Sequence, residues 1–250
     1  MHRLSSKLSP ASYIMQPDSD SSLEFATLDP PGTIAVIGGG ALGVEAALYG
    51  RFLGYAVTLI EAESIGSSAE AMRDQPLPVL PDRCLSSLAM SALATQAHES
   101  GPQVLPTTIG EWIDDGLVGL TQTDLMRGRV MTQTKVDSIE LVPIELDSED
   151  EEPEVEQFLP DDFRLHLQTA SGEKSTLNVE AVIVATGNDD SLHQSLPAST
   201  EYWFRIGGEF DDVAADDIER QFRSGYQQIV DVFARLGGRE TLDLYRPRRL

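Results

Sequence analysis

Cysteine is nearly absent: Cys84 is the only one in 250 residues. A lone thiol excludes an internal disulfide, a CxxC redox pair and a thiolate metal cluster, and it fits a reducing compartment. Basic residues are also scarce, with 18 Lys and Arg against 41 Asp and Glu, a net charge of −23. A nucleic-acid binder needs a basic face for phosphates, and an anionic membrane surface demands the same, so neither partner is expected. No apolar run reaches the about 18 residues that span a bilayer. The N-terminus lacks the apolar stretch of a secretory signal. Arg3, Lys7 and the nearby serines suit an organellar presequence, but Asp18 and Asp20 do not, and the cytoplasm is the expected location. His2, His98, His166 and His193 are scattered, with no pair at ligand spacing, so no metal site is expected.

What is present has clear organisation. Residues 1–31 are rich in Ser, Pro and Asp and are expected to form a flexible leader. Residues 145–162 hold ten acids and no Lys or Arg, a pattern expected of a solvated loop kept open by self-repulsion. Between these lie segments with the periodicity of buried strands and amphipathic helices. Thr33–Ile37 and Ala56–Ile60 read as buried strands flanking a helix from Ala41 to about Leu53, closed by Gly54. Such a strand–helix–strand unit with short connections implies a parallel sheet. Helices are predicted from about Leu85 to Ala97 and from Thr108 to about Arg127. Further strands are predicted at Val130–Thr134, Ser138–Ile144, Phe163–Thr169, Ala181–Ala185 and Tyr202–Ile206. Ile218, Phe222, Tyr226, Ile229, Phe233 and Leu236 recur at steps of three and four. They predict a last helix, opened by Asp216 and Asp217 and stopped by Gly237-Gly238.

The segment Gly38-Gly39-Gly40-Ala41-Leu42-Gly43 carries the spacing G-x-G-x-x-G in Gly38, Gly40 and Gly43. Each glycine has a mechanical role: a sharp turn out of the strand, close approach of a pyrophosphate, and tight helix packing. The unpaired N–H groups at the helix start, including those of Ala41 and Leu42, face an incoming anion with the positive end of the helix dipole behind them. Glu61 ends the second strand, eighteen residues after Gly43. An acid there accepts hydrogen bonds from ribose hydroxyls and repels a 2′-phosphate, which favours FAD or NAD over NADP.

Thr33–Glu61 resembles the nucleotide-binding units of the FAD/NAD(P)-binding flavoproteins, the pyridine nucleotide-disulfide oxidoreductase superfamily in its broad sense. "AVIVATG", Ala181–Gly187, is similar to the strand and turn that pass close to the FAD in those proteins. By that resemblance Thr186 and Gly187 line the cofactor groove, and Val136 places a backbone group near adenine. The tail, "EYWFRIGG" and "SGYQQIVDVFARLGGRETLDLY", also looks like members of a bacterial group of such proteins. The resemblance implies an α/β, Rossmann-like FAD/NAD(P)-binding domain over residues 32–245, with a parallel sheet, a small β-meander and a C-terminal helix. Compared with that pattern, the chain has no second glycine turn for NAD(P)H and no redox cysteine pair. It keeps a single glycine, Gly66, after the ribose acid, and "RIGGE" offers Glu209 where the family has a Gly-Asp aspartate.

Three functions fit this reading. The first is a flavin-dependent oxidoreductase of unknown small-molecule substrate with FAD as cofactor. A flavin brings its own hydride and electron chemistry, so a missing catalytic triad is no objection. The second is a non-catalytic scaffold or sensor that retains FAD or NAD, and the third an NAD-dependent dehydrogenase. A P-loop NTPase is excluded by the lack of Gly-Lys-Ser/Thr, and a methyltransferase leaves the Thr186-Gly187 turn unexplained. No catalytic residue is assigned. Cys84, Tyr49, Tyr55, Trp112 and Trp203 are expected to be packing groups.

Overall fold

The computed structural model describes residues 27–97, 105–143, 160–187, 192, 196–197, 200–207 and 217–246. A five-stranded sheet forms the centre: β1 (Thr33–Ile37), β2 (Ala56–Ile60), β3 (Val130–Met131), β7 (Ala181–Val184) and β8 (Trp203–Arg205). Their order is β3-β2-β1-β7-β8, and every pair is parallel. Between β3 and β7 the chain makes an antiparallel meander of β4 (Thr134–Val142), β5 (Asp162–Thr169) and β6 (Lys174–Val179).

The near-continuous apolar character of β1, β2 and β7 follows from burial on both faces. Ile34, Val36, Val57, Leu59, Ala181 and Ile183 join the core under the helices. The alternate residues Ala35, Ile37, Ile60, Val182 and Val184 join a second core with Val136, Ile139, Phe163, Leu165 and Leu167 of the meander. The meander is covered on one side only, so β5 alternates buried Phe163, Leu165 and Leu167 with less buried Arg164, His166 and Gln168. The result is three layers: helices, parallel sheet, meander.

In the helical layer, α1 (Ala41–Leu53) follows β1 and ends at Gly54, whose φ of +96° suits a left-handed cap. The amphipathic α6 (Ile218–Leu236) lies across it, its N-terminus capped by the Asp217 side chain, which accepts from the Arg220 N–H at 3.0 Å. The two helices approach so closely that a Cβ on Gly50 would sit 2.9 Å from the Phe233 ring.

Several predicted boundaries shift for local reasons. The helix predicted from about Leu85 to Ala97 is α3 (Ser87–Ala97), preceded by a short unpredicted helix, α2 (Pro81–Cys84); Leu85 between them is extended and the Ser86 hydroxyl accepts from the Ala89 N–H. The helix predicted from Thr108 opens with a Thr108–Glu111 capping box. It then runs as α4 (Ile109–Glu111), a π-helical stretch (Trp112–Val118) and α5 (Gly119–Thr121), and does not continue to Arg127. The Thr121 and Thr123 hydroxyls bond back to the Val118 and Leu120 carbonyls there, competing with the helix ladder. The strand predicted at Val130–Thr134 is broken by Gln133, at φ +53°, so Thr134 begins β4 instead.

Of the leader, residues 27–31 are held in place: Leu28 is buried, its N–H bonds the Leu236 carbonyl and its carbonyl accepts from the Tyr55 hydroxyl, both at 2.8 Å. The rest of the leader and the acidic stretch up to residue 159 lie outside the described residues. Among the described residues no helix is long and apolar enough to cross a membrane.

Candidate functional site

In an open parallel sheet the ligand crevice lies beyond the carboxyl ends of the strands, where the strand order reverses. Here that point falls between β1 and β7, and the predicted site residues gather there. Gly38 leaves β1 at φ +112°, and its N–H bonds the Ile60 carbonyl at 2.8 Å. A Cβ on Gly38 would lie 2.7 Å from the Ala185 carbonyl oxygen, so the glycine turn and the Ala185–Gly187 turn touch. A Cβ on Gly43 would lie 1.8 Å from the Gly38 carbonyl oxygen, which no side chain can meet. Above Gly40 a Cβ would find nothing within 4 Å.

That open space over Gly40 sits at the start of α1. Gly40 is the N-cap, no side chain caps the helix, and no acid stands in its first turn. The early N–H groups, those of Ala41 and Leu42 among them, are therefore left without a side-chain cap, with no acid in the helix's own first turn. A helix start of this kind can receive an anionic group.

Glu61 follows β2 on one side of this cradle. Its carboxylate accepts hydrogen bonds from the Gly39 N–H and, at 2.7 Å, from the Glu63 N–H. A carboxylate offers about four acceptor positions, so two remain for hydroxyl donors. The Glu61 carbonyl also accepts from the Thr134 N–H at 2.9 Å, which brings the start of β4 to the same corner. Val136 is two residues further on, its side chain buried in the meander core, just before a bulge between Val136 and Ser138. Its side chain thus belongs to the core, leaving only its backbone for a ligand role.

On the other side, Gly187 takes a φ of +69°, a Cβ there would meet nothing within 4 Å, and its carbonyl accepts from Arg205 Nη2 at 2.8 Å. Thr186 lies between it and Ala185, with its backbone nitrogen 3.3 Å from the Cβ position of Gly38. Eight of the nine predicted positions, Gly38, Gly40, Ala41, Leu42, Gly43, Glu61, Thr186 and Gly187, thus lie along or immediately behind this edge, and Val136 lies in the meander two residues after Thr134.

Two further residues were not assigned to the site from the sequence, although Gly66 stood out there as the single glycine after Glu61. Gly66, at φ +77°, donates its N–H to the Gly39 carbonyl at 2.9 Å and so ties the segment after Glu61 back to the glycine turn. Arg205 reaches the crevice only because β8 pairs beside β7. The first had a local signal in an isolated glycine; the second had none.

Beneath the cradle, one turn into α1, Glu45 is 3% exposed. The Ser86 hydroxyl donates to its carboxyl, and burial pushes that carboxyl up to about 7. The Tyr245 hydroxyl faces the same group but is buried without a hydrogen bond of good geometry. Cys84, nearby, is buried as well. Its Sγ–H donates to the Pro81 carbonyl at 3.5 Å, and desolvation pushes the thiol up to about 12, which keeps it protonated and unreactive. Tyr49 and Tyr55 pack against Phe233, and Trp203 packs on Phe163, as expected of structural groups.

No protein-family model matches the sequence, and no curated protein is significantly similar to it. Solved structures do match. THI4 from Thermovibrio ammonificans superposes with a TM-score of 0.51 at 15% identity, covering 82% of this chain and 90% of that one. Bacillithiol disulfide reductase Bdr (YpdA) from Bacillus cereus gives 0.43 at 16% identity over 70% of this chain. An oxidized steroid monooxygenase bound to NADP gives 0.40 at 20% identity over 63%. The chain spans 47% of the reductase and 26% of the monooxygenase. The likeness to THI4 shows the fold: an α/β architecture with a parallel sheet, an antiparallel meander and a C-terminal helix.

Proposed function

We propose that this chain binds FAD across the carboxyl edge of its parallel sheet and works as a flavin-dependent oxidoreductase on a small-molecule substrate. The observation that carries the proposal is the meeting of two turns: the uncapped Gly38–Gly43 cradle, with open space above Gly40, lies against Ala185–Gly187. In this reading the main-chain N–H groups at the start of α1 hold the pyrophosphate. The two unused acceptor positions of Glu61 take the ribose hydroxyls, and its charge turns away a 2′-phosphate. The backbone at Val136 borders the adenine, and Thr186 and Gly187 line the other half of the cofactor. A bound flavin supplies hydride and electron transfer; the protein binds it, orients it and shields it from water.

Purified protein titrated with FAD tests this. Retained flavin absorption is expected, with Glu61→Ala raising the dissociation constant about tenfold, the loss of one or two hydrogen bonds to a charged group. The cradle and Glu61 also suit NAD, which is the second reading. Stabilisation by NAD with no uptake of FAD favours it, and stabilisation by neither overturns both.

A further inference from the structure

Arg205 is the last residue of β8, in register with Val184, the last residue of β7. Its guanidinium crosses to the neighbouring strand and donates from Nη2 to the Gly187 carbonyl at 2.8 Å. The segment on either side is held as well. The Ile206 N–H bonds the Val184 carbonyl at 2.9 Å, and the Gly207 N–H bonds Gln228 Oε1 of α6 at 2.8 Å. Arg205 is therefore attached to a braced strand end while its head stands over the turn.

Among the described residues the charges along the crevice are unequal. Beyond β2 stand Glu61 and Glu63. Of the described residues at the carboxyl ends of β1, β7 and β8, namely Gly38–Gly40, Ala185–Gly187 and Arg205–Gly207, Arg205 alone is charged. A dinucleotide whose ribose meets Glu61 and whose pyrophosphate meets Gly40 has its second half over β7 and β8, because β2 and β3 lie on the adenosine side.

We propose that Arg205 serves the redox-active half of the bound dinucleotide: it positions the Ala185–Gly187 turn and supplies the positive charge that offsets the negative charge gained on reduction. The proposal rests on the flavin reading above. Two electrons and one proton added to a neutral oxidised flavin leave one negative charge on the ring, and a nearby guanidinium makes that form more stable. Arg205 is exposed, so solvent screening keeps the effect modest.

The test uses the full chain loaded with FAD, comparing wild type with Arg205→Met and Arg205→Lys. Thermal denaturation checks that all are folded. Two quantities are read: the FAD dissociation constant by fluorescence, and the flavin reduction equilibrium against a reference dye. Arg205→Met is expected to weaken FAD binding several-fold and to shift the equilibrium about tenfold toward oxidised flavin, about 30 mV for two electrons. Arg205→Lys is expected to recover most of the shift in the reduction equilibrium, because it restores the charge. A wild-type protein that takes up FAD alongside an Arg205→Met variant with unchanged affinity and potential overturns the assignment of Arg205 alone. A potential that falls in Arg205→Met and is not recovered in Arg205→Lys overturns its role as the charge. A wild-type protein that takes up no FAD overturns this inference together with the flavin reading.

Discussion

The two faces of α1's first turns are built on opposite principles. Toward the crevice, the chain presents backbone: glycines with no side chain, uncapped N–H groups, and a Glu61 carboxylate anchored by main-chain donors. Toward α6, it presents tightly packed side chains: Glu45 with Ser86, and the ring contacts linking Tyr49, Tyr226, Tyr245 and Phe233. The difference shows what each face can tolerate. The crevice needs space and oriented dipoles, so almost any added atom interferes with a ligand. The underside needs neutrality and close packing, so a charge there is costly, and burial accordingly favours the protonated carboxyl.

Three substitutions separate the two faces. The largest effect is expected from Gly43→Ala, whose Cβ would overlap the Gly38 carbonyl oxygen, a backbone atom that cannot move aside without displacing the turn. It should lower stability by about 3 kcal/mol or more, the upper end of overpacking costs, and abolish dinucleotide retention. Chemical denaturation together with an FAD titration reads both; a well-folded variant that binds normally contradicts the geometry of the turn.

Glu45→Gln comes next, and its signature is in pH. The carboxyl is raised from 4.5 to about 7 in the folded protein. The folded state therefore holds its proton more tightly than the unfolded state, and stability falls as pH rises from 4.5 through 7. Above that window a constant deficit remains, on the order of 3 kcal/mol. Glutamine keeps the shape and removes the titration. The variant should be more stable than wild type at pH 8, with the gap closing toward pH 4. Unfolding free energies measured at both pH values decide it: a gap independent of pH rules out Glu45 as the titrating group.

Gly40→Ala completes the contrast with the smallest effect on the fold. Its Cβ would enter open space, and the residue has an ordinary φ of −73°. Stability should change by less than about 0.5 kcal/mol, while dinucleotide affinity falls about tenfold, because the added methyl occupies the ligand's approach. Unchanged affinity would move the phosphate away from Gly40. Since Gly40 and Gly43 belong to one short turn, the same chemical change is expected to impair binding at both but to destabilise the fold only at Gly43, which isolates the ligand face from the packing face.

Much of this architecture could be read before any coordinates. Local periodicity and backbone demands are written in short stretches, so β1, α1, β2 and the course of α6 fall where the residues indicate. The parts that moved depend on competition between neighbours. Thr121 and Thr123 turn their hydroxyls onto the backbone and help end the helix early, and Gln133 breaks a predicted strand in two.

The glycine spacing, the acid after β2 and the apolar strands were determined by the sequence alone, because each expresses a requirement satisfied within a few residues. Only the tertiary structure decided that β7 stands beside β1 and β8 beside β7, and with that order came the contact of Ala185 with Gly38 and the reach of Arg205 to Gly187. It also decided that Glu45, unremarkable on a helix, is sealed beneath the cradle. Burial and cross-strand contact are set by partners far along the chain, and no local pattern of residues carries that information.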